Sequence, residues 1–166
     1  VNFHTPNGLH AKFLTQKTAE LMYESGFKTI RLSLETANLS RQKSTGGKVT
    51  CKDIKNAIKL LEHAGFSRKH IEVYVMFGLP GQELKEVFDT IKFVAKLGVK
   101  TKLAEFSPIP GTKEYKKIFA KVTPDPLVEN CSYYVLESLG FNKVQKIKNY
   151  ARLANYAVDL EISELI

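Results

Sequence analysis

The sequence predicts an α/β fold in which parallel strands alternate with crossover helices and curl toward a barrel, followed by a helical tail. Three observations carry this reading. First, a helix-like segment ending in glycine, then an apolar residue, then a short strand-like run recurs three times. The instances are Gly26-Phe27 before Thr29–Glu35, Gly65-Phe66 before Ile71–Phe77, and Gly98-Val99 before Thr101–Ser107, with the glycines 39 and 33 residues apart. Glycine stops a helix because it enters the left-handed region without strain, and this spacing suits a strand plus its crossover helix. Second, each run alternates. Ile30, Leu32 and Leu34 alternate with Arg31, Ser33 and Glu35, and Ile71, Val73, Val75 and Phe77 with Glu72, Tyr74 and Met76. In the last run Ala104 and Phe106 are expected to face the helices, opposite Leu103, Glu105 and Ser107. A sheet between two helix layers would be apolar on both faces; polar positions on one face fit a barrel interior that holds a ligand. Third, the final third of the chain reads as helix.

The elements follow in order. Val1–His4 is expected as a first strand, and a helix from about Thr15 to Ser25. Thr50-Cys51-Lys52-Asp53 resembles a capping box, and Ile54, Ala57, Ile58 and Leu61 follow at helical spacing. Leu84, Val87, Phe88 and Ile91 repeat the pattern. Asp125-Pro126 supplies an N-cap and a first-turn proline for a helix ending near Leu139-Gly140. A last helix is expected over Val144–Ile162. Four strands do not close a barrel, so further strands are expected before Val1, where the sequence opens without methionine. The exposed edge at Val1–His4 is expected to self-associate or to be covered by the tail. The division expected is residues 1–121 for the βα units and 122–166 for the helical extension.

Composition narrows the function. The 166 residues are 43% hydrophobic and 25% charged, ordinary for one globular domain. No apolar run approaches the roughly 18 residues of a membrane-spanning helix, and the start has no leader pattern, so a cytoplasmic protein is expected. Two cysteines, Cys51 and Cys131, lie 80 residues apart and exclude a disulfide scaffold or a close-spaced thiolate cluster within this chain. Both read as buried small hydrophobes in a reducing compartment. The net charge of +8 comes from 21 lysines and 4 arginines. Scarce arginine argues against base reading, so a solvated lysine surface is expected. A basic module touching RNA through Lys143, Lys146, Lys148 and Arg152 is the competing reading.

In α/β barrels ligands sit at the C-terminal ends of the strands. The loops there are Thr5-Pro6-Asn7-Gly8-Leu9, the end of Leu32-Ser33-Leu34-Glu35-Thr36 with Arg41 downstream, Gly78-Leu79-Pro80-Gly81-Gln82, and Ser107-Pro108-Ile109-Pro110-Gly111-Thr112. Glu35, at a strand end, is suited to accept two hydrogen bonds from a ribose diol or to bind an ammonium group. Arg41 suits a carboxylate held by two parallel bonds. Asn7 is either a turn former or a polar contact, and Gly78 and Gly81 would act through their backbone. Two features fail on inspection. Ser44-Thr45-Gly46-Gly47-Lys48-Val49 departs from a phosphate loop at Gln42 and Val49, and His4 and His10 have no partners for a metal set.

Three stretches, Ile30-Arg31-Leu32-Ser33-Leu34-Glu35-Thr36, Val75-Met76-Phe77-Gly78-Leu79-Pro80-Gly81-Gln82 and Phe106-Ser107-Pro108-Ile109-Pro110-Gly111-Thr112, together resemble the radical S-adenosylmethionine (radical SAM) superfamily over about Asn2 to Tyr115. The resemblance is strongest to its branch of cobalamin-binding enzymes, methylthiotransferases and oxygen-independent coproporphyrinogen oxidase. It implies the later part of a partial (βα)6 TIM-like barrel. It further implies S-adenosylmethionine and a [4Fe–4S] cluster as cofactors, and 5′-deoxyadenosyl radical chemistry on a small-molecule or RNA substrate. The family's C-x3-C-x2-C cluster loop does not occur in this sequence. Carried over position by position, the resemblance implies cofactor contacts at Ser33, Glu35 and Arg41. It implies further contacts at Asn7, Gly78 and Gly81, and at Ser107, Pro108 and Ile109 beside the adenine. A non-radical barrel enzyme using Glu35 as acid or base is the alternative within enzymes.

Overall fold

A computed structural model describes residues 1–44, 47–119 and 132–161. Its four strands, β1 (Phe3–His4), β2 (Phe27–Glu35), β3 (Ile71–Phe77) and β4 (Lys100–Glu105), lie parallel in that order. Helix α1 (Gln16–Glu24) joins β1 to β2. Helices α2 (Leu39–Ser44) and α3 (Cys51–His63) join β2 to β3, and α4 (Leu84–Lys96) joins β3 to β4. Helices α5 (Lys113–Ile118), α6 (Ser132–Leu139) and α7 (Phe141–Asp159) follow. The sheet curls into a half-barrel, part of a TIM-like α/β barrel with a helical C-terminus.

Local chemistry explains the boundaries. The Thr50 hydroxyl accepts from the Asp53 amide at 3.2 Å while the Asp53 carboxylate accepts from the Thr50 amide at 2.8 Å, so the capping box starts α3 as the spacing predicts. The Thr50 hydroxyl also donates to that carboxylate, and these bonds, working against burial, hold Asp53 below the usual carboxylate range. Thr15 caps α1 in the same manner through the Thr18 amide. The core lies between β2 and β3 and their helices: Ile30, Leu32, Leu34, Val73, Val75 and Phe77 are buried against Ile54, Leu61, Val87 and Ile91. Each such side chain contributes about 1.5–3 kcal/mol on burial.

The last strand differs from its expectation. The register pairs Val73 with Thr101, Val75 with Leu103 and Phe77 with Glu105, so Thr101, Leu103 and Glu105 share the helix-facing side with the buried valines. Ala104 therefore falls on the opposite face with Tyr74 and Met76, and so does Lys102. The physical reason is α7. It packs over β4 with polar partners: Lys148 holds Glu105 at 2.9 Å, and the Asn155 amide meets the Thr101 backbone. The Glu105 carboxylate and the Thr101 main chain thus find partners beneath a helix, and simple apolar alternation misassigns the face.

Other differences are local. The first strand shrinks to Phe3–His4, and the chain returns to β2 at Leu9, whose amide donates to the Arg31 carbonyl at 2.7 Å. The tail covers the β4 side of the sheet and leaves β1 uncovered among the described residues. Cys51 is half-buried, donating weakly to the Ala37 carbonyl at 3.7 Å. The last helix runs Phe141–Asp159, slightly earlier than expected. The Asp125-Pro126 helix start, Cys131 and the boundary between residues 121 and 122 lie outside the described residues. None of the described helices is long and apolar enough to cross a membrane.

Candidate functional site

Because the strands are parallel, their C-terminal ends place the loops after β1, β2, β3 and β4 along one rim. At the centre of that rim β2 breaks its register: Ser33 pairs with Tyr74 and Glu35 with Val75, so Leu34 is the extra residue of a bulge. Glu35 then adopts a left-handed backbone, φ 68°, which is uncommon and costly for a residue with a side chain. A bulge re-aims side chains at a strand end. Here it turns Glu35 into a small cavity of about 190 Å³ lined also by Gly8, His10, Ser33, Leu34, Thr36, Gln42, Lys48 and Val49. The Glu35 carboxylate makes no hydrogen bond to any described residue.

The wall of this cavity is backbone-tight. A Cβ on Gly8 would lie 2.1 Å from the Ser33 hydroxyl oxygen, so the loop after β1 passes as close to β2 as main chain allows. Ser33 and Glu35 are therefore brought together, with Lys48 on the same cavity. Lys48, an exposed residue of the stretch that departs from a phosphate loop, lines this cavity, and nothing in the sequence marks it as a site residue. Gln42 is buried behind the cavity, donating to the Thr36 carbonyl at 2.7 Å and to the Cys51 sulfur at 3.5 Å.

Arg41 sits elsewhere on the rim. Its Nε donates to both Glu86 oxygens, at 2.8 and 3.0 Å, and its terminal nitrogens donate to the Pro80 and Gly81 carbonyls at 3.2 and 2.9 Å. Thr36 donates to the same carboxylate at 2.7 Å. This arrangement ties the loop after β2 to the loop after β3 and flanks a separate polar cleft of about 440 Å³. The remaining residues are spread along the rim. Asn7 is exposed in its turn, whose Pro6 carbonyl accepts from Tyr74 at 2.9 Å. Gly78 has φ 85°, and a Cβ there would meet Val135 of α6 at 2.6 Å. Gly81 faces open space. Pro108 is buried, Ser107 is half-buried, and Ile109 is 64% exposed, with its carbonyl accepting from the Thr112 hydroxyl.

The basic tail divides as well. Lys148 is engaged by Glu105, Lys146 lies over the Phe88 ring at 6.0 Å, and Lys143 and Arg152 are exposed. Burial pushes the Glu105 carboxyl up, but hydrogen bonds from Ser132 and Lys148, with the Lys148 charge, outweigh it and hold it below its usual range.

A family model described as the radical SAM superfamily matches residues 2–94, over half of the sequence. The chain belongs to the radical SAM superfamily. The rim loops after β1, β2 and β3 lie inside that match, and the Ser107–Thr112 loop after β4 lies beyond it. Among solved structures, coproporphyrinogen III oxidase from Escherichia coli, described as a radical SAM enzyme, is similar with a TM-score of 0.53 at 15% identity. The likeness covers 90% of this chain and 31% of that one, so the chain spans about a third of that enzyme's length and shares its fold. No curated protein matches in sequence.

The family's two cofactors fare differently against these residues. Among the described residues no three His, Cys, Asp or Glu side chains group as a metal site, and the sequence holds only two cysteines. The residues present do not fit an iron–sulfur cluster. A sulfonium cofactor fits better: an unengaged carboxylate suits a diol or an ammonium group, and Lys48 suits a carboxylate. The cavity is below the roughly 300 Å³ typical of small-molecule pockets, so it suits one end of such a ligand.

Proposed function

We propose that this chain provides the S-adenosylmethionine-binding wall of a radical SAM enzyme, the later strands of its barrel, with the cluster held by residues outside this sequence. In such enzymes the cofactor supplies the reactivity while protein groups bind and orient it. In this reading Glu35 takes the ribose diol or the methionyl ammonium, Ser33 and the Gly8 backbone shape that end of the site, and Lys48 meets the methionyl carboxylate. Asn7, Gly78, Gly81 and the Ser107-Pro108-Ile109 turn line the approach to the adenosine. Arg41 serves as a positioning residue, since its guanidinium spans the two loops that would flank the ligand. The substrate, a small molecule or RNA, is left open.

The observation that carries the proposal is Glu35: it follows the bulge at Leu34, its backbone is left-handed, it is half-buried, and its carboxylate is unengaged by any described residue. Such strain persists where surrounding structure enforces it, as at binding sites. The test is saturation-transfer NMR of this chain with S-adenosylmethionine. Weak binding is expected, with saturation at ribose or methionyl protons, and Glu35→Ala or Lys48→Met should each weaken it about tenfold. Binding that ignores both substitutions would overturn the site. The RNA alternative predicts affinity for a single-stranded oligonucleotide that falls steeply with salt.

A further inference from the structure

The outer edge of β4 carries a second feature, separate from the Glu35 cavity. In this strand the even residues face β3, since the Phe106 amide just beyond β4 donates to the Phe77 carbonyl at 2.9 Å. Thr101, Leu103 and Glu105 therefore turn their main-chain groups outward. The Thr101 pair is closed by one side chain: Asn155 accepts from its amide at 2.7 Å and donates to its carbonyl at 2.9 Å, copying a neighbouring strand. One step along, the Leu103 amide and carbonyl have no such partner among the described residues. They face a cleft of about 890 Å³ between β4 and α7, lined by Leu103, Lys102, Arg152 and Tyr156 among others. The Thr101 hydroxyl, in the same wall, is buried with no hydrogen-bond partner.

The charges select the occupant. Of the four cations in the cleft, Lys100 and Lys148 are engaged by Asp159 and Glu105, while Lys102 and Arg152 are exposed with no carboxylate partner among the described residues. Along the outer side of α7, Leu153, Tyr156 and Leu160 form an exposed apolar strip at helical spacing. An added strand presents its side chains alternately to two sides. We propose that this edge takes up an extended acidic segment of a partner polypeptide as a fifth strand, its main chain bonding Leu103 and its acidic side chains meeting Lys102 and Arg152. Asn155 would then end the ladder and set its register.

The test uses a fluorescein-labelled peptide repeating Glu-Glu-Val-Val, which presents acid on both faces of a strand, its Lys–Val counterpart with Lys at the Glu positions, and a single-stranded RNA oligonucleotide. Fluorescence anisotropy and amide hydrogen exchange are read on the whole chain. The acidic peptide is expected to bind and to protect the Leu103 amide. Leu103→Pro removes an amide the native ladder does not use and should abolish binding. Arg152→Glu with Lys102→Glu should weaken it by about tenfold or more and is expected to leave the fold intact. Absence of binding, equal binding of the Lys–Val peptide, binding indifferent to the charge reversals, or displacement by RNA would overturn the proposal. So would concentration-dependent dimerisation abolished by Leu103→Pro, which would make the occupant a second copy.

Discussion

The two sides of the sheet end in opposite ways. At β4 the chain supplies cover for part of its edge: Asn155 completes the Thr101 main chain while that of Leu103 stays open, and Lys148 and Lys100 tie α7 to the strand through Glu105 and across to Asp159. At β1 the strand is two residues long, Phe3 is 45% exposed, and its ring is partnered by Phe27 at 5.4 Å. Short length is one means by which an edge avoids templating further strands; a side-chain cap is another. The difference teaches that a strand edge is protected either by having little to offer or by having its offer taken up.

The strongest way to break this contrast is Asn155→Ala. It leaves two part-buried main-chain groups unpaired and should cost about 2 kcal/mol in urea unfolding, whereas His4→Ala at the opposite edge should stay within about 0.5 kcal/mol. Equal effects would dissolve the distinction.

A smaller effect is carried by pH. Glu105 titrates below its ordinary value of 4.5 in the folded chain, so its contribution is present above that value and is lost as pH falls through the folded value. Urea midpoints measured from neutral pH downward should therefore decline in that acid window. Glu105→Gln should flatten part of the decline, as should Asp53→Asn at the α3 cap, where the carboxyl is likewise held below its usual 3.8. A decline unchanged in both variants would remove these two carboxylates as its source.

The smallest stability change is expected from Phe3→Ser, within about 0.5 kcal/mol. Its readout is sedimentation: self-association through the β1 side should weaken, and association unchanged by the substitution would place it elsewhere.

Much of the fold was legible because three βα units announce themselves by glycine stops and alternating strands. Ile71–Phe77 emerges with its expected boundaries, and the Thr50–Asp53 box closes as spaced. The β4 face was illegible because its partners, Lys148 and Asn155, lie over forty residues downstream and satisfy polar groups that alternation reads as solvent-facing. Glu35 was legible as a strand-end carboxylate, but its bulge and left-handed turn were not, since no glycine marks them. Lys48 is illegible as a site residue because it sits in Ser44–Val49, whose only pattern is a phosphate loop that Gln42 and Val49 break. For Arg41 the sequence shows an available guanidinium, while its engagement depends on Glu86, 45 residues away.

The Arg41 bridge has a dynamic consequence. With one side chain bonded to Glu86, Pro80 and Gly81, the loops after β2 and β3 are tied to one another and are expected to move together. A ligand that immobilises either loop thereby quiets the other, and the entropy of ordering two segments is surrendered only once.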